Sequence, residues 1–211
     1  MANIEIGWQN FADIATLSGG SWVSTLPLAN LQTRFRSEVA RSTDVLTTST
    51  KIAVDFGSAS KVVRWVILDK HNMSTAATVR VKGGTTAGAA DVADTGSLEV
   101  WQATPTRDLR YEDANWWTGT LSAADVEGYP ISMFIDLAAN VKARYWTIEI
   151  TDTANSAGYV QIARLWMGPF WSPQRNVTWG TKLGWEDPSR EQRTDSGVMY
   201  FAERQRFRVY H

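Results

Sequence analysis

Residues 144–171, RYWTIEITDTANSAGYVQIARLWMGPFW, decide how the rest of the chain is read. Trp146, Ile148 and Ile150 fall on one side of a period-two alternation and Thr147, Glu149 and Thr151 on the other, the pattern of a strand with one buried face. Residues 152–158 are rich in Asp, Asn, Ser and Gly, which bond to nearby backbone or tolerate positive φ, so the chain is expected to reverse there. Residues 159–167 return with apolar side chains on both sides until Gly168-Pro169 stops them. A strand of that kind sits more easily inside a sandwich than on its surface. The reading is two strands joined as a hairpin.

Upstream, Ile52, Val54 and Phe56 alternate with Ala53 and Asp55, Gly57-Ser58 marks a turn, and residues 62–68 form a largely apolar run. This predicts a second hairpin. A connecting loop, residues 69–77, contains His71-Asn72-Met73-Ser74. A third strand follows over residues 78–82 with Val79 and Val81 inward. Between residues 83 and 129 the pattern dissolves into Gly, Ala, Thr and Asp, interrupted by a short strand over 98–101 and an aromatic knot, Asn115-Trp116-Trp117-Thr118-Gly119. A loop of that length in a compact domain is functional or mobile. Residues 131–137 resume strand character. Nearer the start, Ile4 and Ile6 before Trp8 suggest an edge strand or arm. Residues 21–50 read as irregular but ordered, with one helical turn at 28–31.

Many short strands with turn signals between them predict an all-β, antiparallel β-sandwich. The expected division is an amino-terminal arm (1–20), the sandwich (21–171) and a carboxyl-terminal interaction extension (172–211), which is too short for a core of its own. Residues 198–201 and 207–210 are its strand candidates.

The chain has 211 residues and a formal net charge of -1, which argues against a nucleic-acid partner held through its phosphates. It contains no cysteine, so disulfides, thiolate metal sites and a cysteine nucleophile are excluded together. No run reaches the length needed to insert in a membrane, and the first twenty residues lack the pattern of a secretion signal, so a soluble protein is expected. The one compositional excess is eleven tryptophans, suited to core packing, sugar stacking or subunit contacts.

The order Ile52-Ala53-Val54-Asp55-Phe56-Gly57, then residues 62–68, then Trp146-Thr147-Ile148-Glu149-Ile150 and the closing run 159–168 resembles the discoidin (coagulation factor 5/8 type C) family. That resemblance implies a galactose-binding-domain-like jelly roll with ligands on loops at one end, here followed by an extended carboxyl-terminal arm. Three further pieces resemble proteins encoded in tail-assembly regions of tailed bacteriophages. They are residues 26–32 (LPLANLQ) running on to Val39-Ala40-Arg41-Ser42, then Asp69-Lys70-His71-Asn72-Met73-Ser74, and Trp179-Gly180 with Gly184-Trp185-Glu186-Asp187-Pro188-Ser189. This second resemblance implies a structural component of a tail tip or baseplate, located in the virion after synthesis in the host cytoplasm. Its partners would be other tail proteins and further copies of itself.

Catalysis has little to stand on. The two histidines are His71 and His211, and no nucleophile elbow, metalloprotease pair or phosphate-cradling loop is present. His71 is expected to order its own loop. The pairs Asp91 with Asp94 and Glu186 with Asp187 read as solvated charges, because an acid catalyst needs one carboxyl desolvated. Asp152, Asn155 and Ser156 offer oxygen ligands, yet their spacing fits an Asx turn better than a calcium loop. No enzyme activity and no cofactor are expected.

The binding candidates are Trp116 and Trp117, with Arg110 and Tyr111 beside them and Arg107 and Asp113 nearby. An exposed indole stacks on the C–H face of a sugar ring. The competing reading places one indole in the core and its neighbour at a subunit contact. The assembly candidates are Trp171, Trp179, Trp185, Arg204, Arg206, Phe207 and Tyr210, since arginine beside aromatics is the composition of a protein interface. The leading expectation is therefore a virion structural protein that assembles through its ends. The alternative is a module recognising host cell-surface carbohydrate through the Trp116/Trp117 loop.

Overall fold

The computed structural model describes residues 4–7, 9–101, 109, 111–113, 115–122, 125–126, 131–174, 183–186, 188–193, 199–202, 204 and 207–210. It divides into two units: Gly7–Phe170, and Met1–Ile6 together with Trp171–His211. The strands in chain order are β1 (Ile6–Gly7), β2 (Thr16–Ser18), β3 (Ala40–Arg41), β4 (Ile52–Asp55), β5 (Lys61–Asp69), β6 (Thr78–Gly84), β7 (Ala93–Asp94), β8 (Leu98–Glu99), β9 (Ser132–Ala143), β10 (Tyr145–Thr151), β11 (Gln161–Ile162), β12 (Arg164–Gly168), β13 (Phe170–Trp171), β14 (Leu183–Glu186), β15 (Arg190–Arg193), β16 (Met199–Ala202) and β17 (Phe207–Tyr210). Short 3-10 helices occupy Phe11–Ile14 and Leu28–Gln32, the second where a helical turn was expected.

The larger unit is an antiparallel β-sandwich. One sheet runs β2-β4-β10-β6-β7, with β8 also paired to β6, and the other runs β12-β5-β9. β10 lies at the centre of the first sheet, paired with β4 on one side and β6 on the other. Trp146, Ile148 and Ile150 are buried, and they meet Val54 and Ile52 on one side and Gly83, Val81 and Val79 on the other. Gly83 is required by this packing: a Cβ there would come within 3.0 Å of the Trp146 ring. The second sheet turns Val63, Val66, Leu68, Met133, Ile135, Leu165 and Met167 toward the same core.

Both expected hairpins are corrected. β4 and β5 follow one another in sequence but lie in different sheets, and so do β10 and β12. The connections are residues 56–60 and 152–163, and the first is short enough for a hairpin, so its length alone does not set the crossing. Each carries the chain across the sandwich. At the first crossing, Gly57 (φ +75°) donates to Asp55 Oδ1 at 2.8 Å, and Arg144 grips the same carboxylate through Nε and Nη2 at 2.8 and 3.0 Å. At the second, β11 pairs with β3 before the chain enters β12.

Residues 9–18, expected as part of an arm, are built into the sandwich. Asn10 accepts from Met167 N at 2.9 Å and donates to Leu165 O at 3.0 Å, so a side chain takes the place of a strand along β12. Phe11 and Ala12 enter the core, and β2 pairs with β4 at the edge of the first sheet. No periodicity announces such a segment, because one asparagine replaces the ladder.

β9 carries the main irregularity. Its register to β5 passes from Trp65↔Asp136 to Val63↔Val141, so residues 137–140 stand opposite Arg64 alone. Within this bulge Ala138 takes φ +60°, a conformation costly for a residue with a Cβ.

In the smaller unit, β15 pairs with β16 and β14 with β17, nested as a single long hairpin. The register shifts by one between Glu186↔Phe207 and Arg190↔Ala202, and near that shift Arg204 N donates to Ser189 Oγ at 3.0 Å. No helix among the described residues is long and apolar enough to cross a membrane.

Candidate functional site

The long segment between β8 and β9 starts and ends at the same end of the sandwich. β8 is paired with the first residues of β6 (Glu99↔Thr78), and β9 begins opposite the last residue of β5 (Ser132↔Asp69). The loop over residues 70–77 lies there too, as does the loop after β10.

His71 holds both stems of that long segment. Its ring is 3% exposed and stands edge-on to Trp101 at 5.8 Å, while Trp101 Nε1 donates to Met73 O at 3.2 Å. Its backbone N–H donates to Ile131 O at 3.3 Å. One residue thus touches the way into the loop and the way out. His71 Nδ1 accepts from Met73 N at 3.2 Å, the local hydrogen bond expected of it, and this defines the neutral tautomer. Burial pushes its pKa down to about 4, outweighing the pull of Asp152 and Asp69 in the other direction.

Asp152, also buried, accepts from Ser74 N at 2.9 Å, from Ser74 Oγ and from Asn155 Nδ2 at 2.8 Å. Asn155 Nδ2 also donates to Asn72 O at 3.0 Å. These residues join the loop after β10 to the loop after β5. Among the described residues no group of three or more His, Cys, Asp or Glu could hold a metal ion.

Within the segment, residues 115–118 form a turn. Trp116 N donates to Asp113 O at 2.9 Å, Gly119 N to Asn115 O at 2.7 Å, and Asn115 Nδ2 closes the turn on Thr120 O at 3.0 Å. Positive φ at Glu112 and Gly119 brackets it. Trp116 is half-buried with its ring edge-on to Tyr111 at 5.5 Å; it does not join the core cluster. Trp117 is 90% exposed and Tyr111 76%. Trp116 and Tyr111 are therefore brought together, Trp117 follows in the same turn, and Arg107 and Arg110 lie outside the described residues.

The assembly candidates are placed as follows. Trp171 is exposed on β13 and Arg204 is exposed beside Ser189. Trp185 sits in β14 opposite Arg208, and Phe207 and Tyr210 sit in β17 opposite Glu186 and Leu183. Trp179 and Arg206 lie outside the described residues.

The carboxylates weighed as acid and base are held ionised. Thr85 hydroxyl and backbone N–H lower the pKa of Asp91, and Arg80, aided by the Gly96 N–H, lowers that of Asp94. A general acid needs the opposite shift. Glu186 is exposed, and Asp187 lies outside the described residues.

What sequence reasoning missed here is the part played by Trp101 and Ile131. His71 lies two residues past β5 and Trp101 is the first large side chain after β8, but that the two pack together shows only in the fold.

No protein-family model and no curated protein sequence matches the chain. Among solved structures it is similar to SpGH29, at 15% identity and TM-score 0.49, over 78% of this chain but 28% of that one. It is similar to chitosan-binding module 1 of a chitosanase/glucanase from Paenibacillus sp. IK-5, at 14% identity and TM-score 0.48, over 77% of this chain and all of the module. It is also similar to the family 32 carbohydrate-binding module of NanJ from C. perfringens, solved with galactose, at 12% identity and TM-score 0.48, over 78% and 98% of the two chains. The chain spans little more than a quarter of SpGH29 and nearly the whole of each binding module. The sugars named with these neighbours are theirs; the antiparallel sandwich of this chain rests on its own sheet topology.

Proposed function

We propose that this protein binds carbohydrate of a host cell surface through the aromatic tip formed by Tyr111, Trp116 and Trp117. The observation that carries the reading is Trp117, 90% exposed on a hydrogen-bonded turn, in a segment whose described ends, Trp101 and Ile131, both touch the buried His71. An indole left in water on an ordered base is arranged for a flat apolar partner, and the C–H face of a pyranose is one. Covering about 100 Å² of it contributes roughly 2 kcal/mol. Together with a few hydroxyl contacts this corresponds to a Kd on the order of 1 mM for one sugar unit. Asp91 and Asp94, whose pKa values are lowered by their hydrogen-bond partners, are not poised to act as general acids. Glycan-array binding compared between the wild type and Trp117→Ala tests the reading. Loss of binding with an unchanged melting curve is the expected result; a wild type that binds no glycan, or a variant that binds equally, overturns it.

A second reading is favoured by a different observation, the hairpin of β14–β17. Two strands by themselves are marginally stable in water, and a long ladder with two open edges gains most when another chain covers it. This supports docking of residues 172–211 on another chain, which in the bacteriophage tail tip or baseplate reading is a further copy of this protein or another tail protein. Deleting residues 172–211 and measuring incorporation into particles tests it, and normal incorporation counts against it.

A further inference from the structure

A second concave site lies on one flank of the sandwich, where the free edges of the two sheets face each other. A cleft of about 370 Å³ opens between the β7–β8 segment and the bulge of β9. The volume is near the lower end of pockets that hold small molecules, roughly 300–1,000 Å³. Its apolar surface comes from Leu98, Leu137 and Val141, which pack on the core, and from Val92, which is 40% exposed.

Two carboxylates line it, one on each wall, and the walls are built alike. Asp94 Oδ1 accepts from Gly96 N at 3.0 Å and from Arg80 Nε at 2.9 Å, with Arg80 Nη2 on Oδ2. Asp136 Oδ1 accepts from Ala138 N at 2.9 Å, and Arg64 Nη2 donates to Oδ2 at 3.0 Å. Arg64 Nε lies 2.7 Å from Asp136 Oδ1 as an ion pair, with its N–H poorly aligned for a hydrogen bond. Each carboxylate is thus fixed in direction and locally neutralised. A carboxylate has about four acceptor positions, so both retain capacity for a donor from a ligand.

These features select a ligand class. A cation gains little, because each carboxylate already has its arginine. An anion would face the two carboxylates, one on each wall. A wholly apolar ligand would strip water from two carboxylates without replacing it, which is unfavourable. A neutral, hydroxyl-rich ring satisfies both surfaces, with O–H groups donating to Asp94 and Asp136 and a C–H face against the Leu and Val side chains. We propose that the flank cleft between β7–β8 and the β9 bulge is a binding site for one neutral pyranose unit, separate from the loop tip and independent of Trp117.

The test is methyl NMR on the full chain, titrated with methyl glucoside, methyl galactoside, methyl mannoside and N-acetylglucosamine, and with glucosamine and glucuronate as the charged counterparts. At least one neutral sugar is expected to shift the Leu98, Leu137 and Val141 methyls saturably, to the same extent in the wild type and in Trp117→Ala. Val92→Trp, which occludes a half-open wall, and Asp136→Asn, which removes an acceptor from an exposed position, should each weaken the response tenfold or more. If Val92→Trp loses its methyl dispersion, Asp136→Asn alone provides the readout. Absence of saturable shifts with every neutral sugar, shifts confined to glucosamine or glucuronate, or shifts abolished by Trp117→Ala each overturn the proposal. The last outcome would assign the binding to the loop tip, while failure of the loop-tip reading leaves the cleft titration unaffected.

Discussion

The base and the tip of the 100–131 segment use the same side chain for opposite ends. Trp101, at the base, is partly buried, spends its N–H on Met73 O and presents its ring to His71. Trp117, at the tip, is almost wholly in water. The difference lies in what surrounds each residue. Trp101 follows a strand whose neighbours supply both a carbonyl and an aromatic contact, whereas Trp117 sits in a turn that satisfies its own backbone and offers its indole nothing to cover it. A binding loop needs both kinds of residue, one that fixes the stems and one left free for the ligand.

If that contrast is correct, truncating the base should cost stability and truncating the tip should cost binding. The largest stability effect is expected for Trp101→Ala, about 2–3 kcal/mol, read from urea unfolding. Glycan binding should weaken with it as the stems loosen. A variant as stable as the wild type would break the comparison.

The pH dependence sharpens it. The His71 pKa of about 4 lies below the ordinary value of 6.5. Between these values the unfolded chain takes up a proton that the folded chain refuses, so acidification favours unfolding. Stability from this residue is complete above pH 6.5 and is lost as pH falls toward 4, up to roughly 3 kcal/mol. His71→Asn should flatten that part of the stability-against-pH curve. An unchanged slope would mean that His71 is not the neutral anchor of the stems.

At the tip, Trp117→Ala should reduce glycan affinity about 30-fold, the equivalent of roughly 2 kcal/mol, and move the melting temperature by less than the error of calorimetry. The smallest effect is expected from removing residues 172–211. The unit Gly7–Phe170 has its own core, so its unfolding midpoint should shift little while any self-association recorded by light scattering disappears.

The composition of faces was legible in the chain. Ile52, Val54, Val79, Val81, Ile148 and Ile150 all turn inward as their alternation requires, since a side chain on a pleated strand has only two sides to choose between. The strands β16 and β17 are where the pattern put them. An exposed tryptophan on the long loop was one of two alternatives that the sequence left open, and of the pair Trp117 is exposed while Trp116 is half-buried.

Partners and depths were not legible. Alternation says which side of β4 or β10 is buried, and is silent on whether the next strand lies beside it or across the core. That choice depends on contacts between distant segments, such as the arginine–aspartate grip at Asp55, which joins residues 89 apart. For the same reason Asn10 could not be read as a substitute strand, nor residues 137–140 as the wall of a cleft. Short-range pattern is a property of a few adjacent residues, and the chain carries it whether folded or not; a cleft, a crossing and a clamped loop exist only once distant segments have been brought together.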